Sequence, residues 1–339
     1  MSRRKPLSNA GRPVMILLYF IIAVLIGLAV WSMLPQKALL DSNETVLSVN
    51  GHKVGAEEFR FYMNRLLDTY LPVYGEEYLS KDTIFSGLVT IATNYIRQNY
   101  LLYDWAAEIG FTLTDDLKAA AAEQLAQYKA SFETEEAYRD ALKKAGTSEK
   151  AYLNFLEMNK VIEAFNAFLY DPARSPFQIA DEDVLPLAEA YGIYGAKHIF
   201  FFLGETDEEK AANREKIEAA YARLNAGENF EDLMFELSED PGLSSYPDGY
   251  TFGPDSEFNE DFYNGTKILE IGQHTGIITS VDGYHIIKRI EPNFDDARYL
   301  LMAAMADNEF AKRNEEAQIV YSPRFGEISY EDFRSRSAS

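Results

Sequence analysis

The sequence predicts an α+β protein in which a helical body is joined to a domain with a four-stranded antiparallel sheet and flanking helices. From about residue 56 to 190, apolar side chains recur at helical spacing. From about residue 196 to 290, short apolar strands alternate with helical stretches in the order β-α-α-β-α-β-β. A third observation, an uncharged apolar run at residues 14–34, adds one N-terminal transmembrane helix.

The apolar run VMILLYFIIAVLIGLAVWSML at residues 14–34 is long enough for a helix to cross a hydrocarbon core of ~30 Å. The charged residues ahead of it are all basic: Arg3, Arg4, Lys5 and Arg12. Such a flank predicts a cytoplasmic tail at 1–13 and export of the remainder. Residues 31–35 lack the small-x-small pattern of a signal-peptidase site, which favours an uncleaved anchor over a cleaved signal peptide.

Composition excludes several classes of function. With 54 acidic against 32 basic residues and a net charge of −22, the chain is not expected to bind nucleic acid. It has no cysteine, so disulfides and thiolate metal sites are excluded. The HExxH, Walker A and GxSxG motifs are absent, and no histidine pair has metal-ligand spacing. We therefore expect neither a metal nor a cofactor.

A mostly helical domain is predicted at residues 35–190. It opens with one strand, TVLSVN, which ends at an Asn50-Gly51 turn. Pro72 is expected to end the first helix, and Thr residues followed by Glu predict the N-caps of later ones. The expected helices are 56–71, 82–109, 114–132, 134–146 and 147–170. The many aromatic residues of this domain have two interpretations, a packed core or a cradle for unfolded chains, and the sequence does not separate them.

The α+β domain is predicted at residues 191–292, after a proline-containing break at 171–176 and a linker helix near 179–191. The expected strands are 196–203, 250–252, 277–281 and 284–290, and the expected helices are 207–225, 230–237 and 259–269. The Asp282-Gly283 turn predicts that the last two strands form an antiparallel hairpin. A C-terminal segment, 293–339, contains one more helix followed by Ile319-Val-Tyr.

Five sequence blocks within this domain resemble, in order, the blocks of parvulin-type peptidyl-prolyl isomerases. They are AKHI at 196–199, AGENFEDL at 226–233, LSEDP at 237–241, IGQHTG at 271–276 and DGYHIIK at 282–288. The whole chain resembles the PrsA and SurA group of bacterial foldases, with a transmembrane helix where lipid-anchored members carry a cysteine. One departure is the loop before the second strand, which reads YPDGYTF at 246–252 where the family has a glycine-rich sequence.

The resemblance implies an active site. It implies that His198 and His285 are paired histidines on neighbouring strands, and that Asp240 faces the prolyl amide. It further implies that Phe258 and Phe262 line the proline pocket, with Ser280 beside them. Each residue also has a plainer interpretation: the histidines as core residues, Asp240 as a turn starter before Pro241, and the two phenylalanines as core.

The predicted function is that of a single-pass foldase of the bacterial cell membrane, with a cytoplasmic N-terminus and an extracytoplasmic body. Its clients would be unfolded exported polypeptides that contain X-Pro bonds, and residues 14–34 would hold it in the membrane. The alternative is a holdase whose parvulin module binds clients without catalysis. In the resembling foldases the C-terminal segment packs back on the first domain. A homodimer is left open.

Overall fold

The computed structural model describes residues 38–41 and 44–334. The predicted cytoplasmic tail at 1–13 and transmembrane helix at 14–34 lie outside these residues. Within the described ranges, no helix combines the length and the apolar character that crossing a bilayer requires.

The described chain contains seven strands and twelve α-helices. The strands are β1 (Thr45–Val49), β2 (His52–Gly55), β3 (Tyr194–Phe202), β4 (Tyr250–Phe252), β5 (Ile278–Thr279), β6 (Gly283–Ile290) and β7 (Ile319–Tyr321). The first seven helices are α1 (Ala56–Tyr74), α2 (Glu76–Leu79), α3 (Asp82–Glu108), α4 (Asp115–Ala130), α5 (Glu135–Ala145), α6 (Glu149–Leu169) and α7 (Asp181–Tyr191). The remaining helices are α8 (Asp207–Asn225), α9 (Phe230–Leu237), α10 (Glu260–Lys267), α11 (Phe294–Glu316) and α12 (Glu331–Arg334).

The chain divides into two compact units. The first unit comprises the described parts of Met1–Tyr100, Asp115–Glu157 and Ala317–Ser339, and the second comprises Leu101–Thr114 and Met158–Glu316. The predicted domain borders at 35–190, 191–292 and 293–339 do not coincide with these limits. A compact unit defined by packing is not a functional domain, so those borders remain predictions.

The first unit is built on a three-stranded antiparallel sheet with the order β2-β1-β7. The Asn50-Gly51 turn has positive φ at both residues, 48° and 88°, which suits a tight hairpin between β1 and β2. The prediction of a single leading strand was therefore wrong. Strands β2 and β7 have four and three residues, HKVG and IVY, and neither shows a clear alternation of apolar and polar side chains.

Helix α1 packs its buried face, which includes Phe59, Met63 and Leu67, into the main core of the first unit. The prediction that Pro72 ends this helix was wrong, because α1 continues to Tyr74. Pro72 lies in the last turn, where its missing N–H removes one hydrogen bond and leaves the preceding turns intact. The predicted cap at Thr134 is confirmed, since its hydroxyl accepts a hydrogen bond from the Ala137 N–H at 3.1 Å.

The second unit contains the predicted four-stranded antiparallel sheet, with the order β4-β3-β6-β5. Helices α8 and α9 cover one face, where Ile217 and Leu233 pack with Ile199 and Ile286. Helix α10 packs Phe262 against the opposite face. A separate cluster joins α7 to α11. Because side chains alternate along a strand, the even-numbered residues of β3 and the odd-numbered residues of β6 share the α10 face.

Candidate active site

The register of the two central strands places both predicted histidines on the α10 face of the sheet. His198 lies opposite Ile287, and His285 lies opposite Phe200. The two histidines are therefore diagonal neighbours, a separation that long or aromatic side chains can bridge. Their rings stack with centroids 5.4 Å apart, and the two Nδ1 atoms are separated by 3.2 Å. Both rings are buried.

A polar chain runs from Ser280 through the histidines to Asp240. The Ser280 hydroxyl lies 2.8 Å from His285 Nε2, and His198 Nε2 lies 3.0 Å from Asp240 Oδ2. The last contact is off the line of a hydrogen bond, so it is mainly electrostatic. The protonation pattern that suits every contact has Ser280 donating to His285, His285 Nδ1–H donating to His198, and His198 Nε2–H facing the carboxylate.

The carboxylate of Asp240 is held ionised although it is largely buried. Burial raises its pKa, but contacts from His198, the Tyr250 hydroxyl and the Gly242 N–H outweigh this and lower it to about 2. The Tyr250 hydroxyl donates to Oδ2 at 2.7 Å, and the Gly242 N–H donates to Oδ1 at 3.0 Å. Asp240 is consequently a fixed negative charge at neutral pH.

His285 is held neutral. Burial, and to a lesser extent the neighbouring His198, lower the pKa of His285 to about 4, against the smaller opposing influence of Asp282 and Asp240. Gly283 helps to bury this site, since a Cβ there would lie 2.6 Å from the ring of Phe200. Phe200 in turn packs against His285 with ring centroids 4.9 Å apart. At neutral pH the site therefore presents one carboxylate beside an uncharged His285.

Two phenylalanines form an apolar wall over the histidines. Phe262 is 1% exposed, and its ring meets His198 edge-on with centroids 5.1 Å apart. Phe258 is half-buried and stacks on Phe262 at 4.9 Å. Asn259 fixes the start of the helix that carries Phe262, because its side chain accepts from the Phe262 N–H and donates to Asp282 at 2.7 Å.

The structure thus brings together all six residues that the sequence singled out, while their catalytic and binding roles remain predictions. They are His198, Asp240, His285, Ser280, Phe258 and Phe262. Sequence reasoning missed Tyr250 and Ser238. The Ser238 hydroxyl accepts from the Phe200 N–H at 3.0 Å and so ties β3 to the segment that carries Asp240. The sequence did offer a signal for Ser238: a serine directly after a helix and two residues before an aspartate often bonds to the backbone of a turn.

Metal ligation has no support within residues 38–41 and 44–334, where no three His, Asp or Glu side chains form a ligand set.

Comparison with known proteins identifies both parts of the chain. Residues 198–291 match the PPIC-type PPIase domain, and residues 8–164 match the SurA-like N-terminal domain. The chaperone SurA of Xylella fastidiosa is 32% identical over 97 residues, 29% of this chain and 21% of that protein. The foldase PrsA of Bacillus subtilis is 26% identical over 168 residues, 48% of this chain and 54% of that protein. This chain thus spans well under two thirds of either relative.

Among solved structures, the peptidylprolyl isomerase PrsA of Bacillus cereus is 18% identical, covers 80% of this chain and 87% of its own, and superposes with a TM-score of 0.32. The antiparallel sheet, the paired histidines and the matched family model define a peptidyl-prolyl cis–trans isomerase domain of the PPIC, or parvulin, type. The chain combines this domain with a SurA-like N-terminal domain, and the relatives that it matches are named PrsA and SurA.

Proposed function

We propose that this chain is a membrane-anchored extracytoplasmic foldase that catalyses cis–trans isomerisation of X-Pro bonds in exported proteins. One observation carries the proposal: an ionised carboxylate, Asp240, lies beside a pair of stacked histidines under a wall of two phenylalanines. The charge and the apolar surface are the two features that a prolyl substrate requires. The match to the PPIC-type domain supports the same activity.

The chemistry needs neither a nucleophile nor a cofactor. Rotation about an X-Pro bond faces a barrier of ~20 kcal/mol, because amide resonance is lost at the twisted geometry. Resonance places negative charge on the carbonyl oxygen and positive charge on nitrogen. A carboxylate close to that oxygen disfavours the charge-separated planar form, and so it lowers the barrier relative to the bound ground state.

The remaining site residues have positioning and binding roles in this scheme. Phe262 and Phe258 would hold the prolyl ring by apolar contact, so that rotation takes place on the other side of the bond. His198 would set the position of Asp240 by facing it with Nε2, and His285 would fix the tautomer of His198. Ser280 would complete the chain by donating to His285, which keeps that ring oriented.

The first unit is proposed to hold unfolded client segments. Its exposed apolar surface includes Val73, Tyr74 and Tyr78 at the end of α1 and in α2, with the two tyrosine rings stacked at 5.5 Å. Exposed aromatic surface of this kind suits contact with unfolded chains. Residues 14–34 would anchor the protein with its N-terminus in the cytoplasm, and residues 191–292 would act as the catalytic domain.

A protease-free isomerisation assay on the full-length chain tests the proposal. We expect the wild type to accelerate X-Pro exchange and Asp240→Asn to reduce the rate about ten- to a hundredfold, since the charge is lost while the shape is kept. Asp248→Asn is the matched control, because Asp248 is an exposed carboxylate in the same loop. Wild-type protein that suppresses client aggregation without accelerating exchange would leave only the holdase function.

A further inference from the structure

Tyr250 contacts the proposed catalytic carboxylate directly. It lies in the edge strand β4, and its hydroxyl donates to Asp240 Oδ2 at 2.7 Å. The other carboxylate oxygen, Oδ1, accepts from the Gly242 N–H at 3.0 Å. With one donor on each oxygen, the carboxylate plane has a single favoured orientation.

Gly242 provides the space that the Tyr250 hydroxyl occupies. A Cβ at position 242 would lie 2.0 Å from that hydroxyl oxygen and 3.1 Å from the ring carbon that carries it. Gly242 is not among the residues with positive φ, so its backbone conformation is open to any residue. The requirement for glycine is therefore one of space, and it exists because the tyrosine is present.

Charged and titratable groups face Asp240 from several elements. His198 on β3 approaches at 3.0 Å, Tyr250 on β4 donates its hydroxyl, and His285 on β6 adds a weaker electrostatic influence. The ring of Tyr250 also packs edge-on against His198 at 5.9 Å and against Phe258 at 5.2 Å. Tyr250 is thus held from both ends, by its ring and by its hydroxyl.

We propose that Tyr250 is a positioning residue for isomerisation, which orients the Asp240 carboxylate toward the substrate amide, and that Gly242 is the position that admits its hydroxyl. This inference rests on the proposed isomerase function. It adds to the site a residue from the loop where the sequence departs from the glycine-rich pattern of the family. In Tyr250→Phe the ring contacts remain, but Asp240 Oδ2 loses its donor, so the carboxylate can rotate and bind a proton more readily.

The experiment is a double-mutant cycle on the full-length chain with Tyr250→Phe, Gly242→Ala and the combined variant. Tyr250→Phe should lower kcat about tenfold, the loss expected for a hydrogen bond to a charged group, with little change in KM. Gly242→Ala should have a similar effect, because its Cβ displaces the hydroxyl. In the combined variant the 2.0 Å clash with the hydroxyl is absent and only the 3.1 Å approach to the ring carbon remains, so the loss should be close to that of Tyr250→Phe alone and well below the sum of the two single losses.

A carbon-13 NMR titration of the Asp240 carboxyl gives a second measurement that is independent of turnover. The Asp240 pKa should rise in both single variants. Tyr263→Phe is the matched control: its hydroxyl bonds to the Gly192 carbonyl, away from Asp240, so neither kcat nor the Asp240 pKa should change.

Tyr250→Phe with wild-type kcat and an unchanged Asp240 pKa would overturn the inference. So would strictly additive losses in the cycle, since they would show that Gly242 and Tyr250 act separately. If Gly242→Ala fails to fold, Tyr250→Phe alone decides through both measurements. If the wild type has no isomerase activity, the proposed function fails, whereas the titration still tests whether Tyr250 holds the carboxylate.

Discussion

Each unit of this protein contains a largely buried carboxyl group bonded to a tyrosine, and the two carboxyls respond in opposite ways. In the second unit Tyr250 donates to Asp240 at 2.7 Å, and the Asp240 pKa falls to about 2. In the first unit Tyr100 donates to the two oxygens of Glu58 at 3.0 and 3.2 Å, yet the pKa of Glu58 is raised. A tyrosine partner alone therefore does not decide the charge state.

The difference lies in the number of partners that oppose burial. For Glu58, burial is the largest influence and raises the pKa, and the Tyr100 hydroxyl and the charge of His52 only reduce that rise. Burial is also the largest single influence on Asp240, but a histidine, a tyrosine and a backbone N–H together outweigh it. Asp240 therefore remains ionised because several partners act on it together, whereas the two partners of Glu58 do not offset its burial.

The largest difference between the two units should follow from removing the apolar side chain that covers Asp240 and the histidines. Phe262→Ala should destabilise the second unit by ~3–5 kcal/mol, the usual cost of deleting a buried phenylalanine. Hydrogen exchange of the full-length chain should then increase in β3 and β6, with no change in β1 and α1. Phe258→Ala is the control, since this half-buried ring should cost clearly less. Equal losses for both variants would contradict the packing described here.

Acidification should change the stability of the two units in opposite directions. His285 has a folded pKa of about 4 against an ordinary value of 6.5, so its stability contribution is present above pH 6.5 and is lost as pH falls toward 4. The loss should be ~2–3 kcal/mol, measured by hydrogen exchange in β6. His285→Gln should remove this pH dependence. A variant with the wild-type slope would show that other groups cause it.

Glu58 should make the smallest contribution to the pH dependence of stability, and its contribution should be opposite in direction to that of His285. Its raised pKa means that its stability contribution is greatest at low pH and is lost as pH rises through the folded pKa. Glu58→Gln should therefore stabilise the first unit slightly at neutral pH, by less than ~1 kcal/mol, and should leave isomerisation unchanged. Glu77→Gln, at an exposed position in α2, should change nothing. Destabilisation by Glu58→Gln would mean that its ionised form is favoured after all.

The sequence predicted the second unit better than the first because its signals are local. Apolar strands and an Asp-Gly turn predicted the antiparallel sheet, whereas the pairing of the two histidines came from the resemblance of five sequence blocks to the parvulin domain. Tyr250 was missed because a tyrosine in a short strand resembles any core aromatic. Its hydrogen bond to Asp240 is a tertiary contact that the local sequence does not indicate. In the first unit, β7 was missed as a strand because its pairing with β1 joins residues that are far apart in the sequence.

That pairing also sets an order of events during synthesis. Asn50 exchanges hydrogen bonds with Gln318, which lies 268 positions later, so the sheet of the first unit is incomplete until residue 318 and the strand after it have been made. Closing an unstructured loop of this length would cost ~5 kcal/mol in chain entropy. The second unit lies within the loop, and folding it first brings the two ends closer. We therefore expect the histidine pair to form on the nascent chain before strand β1 pairs with β7.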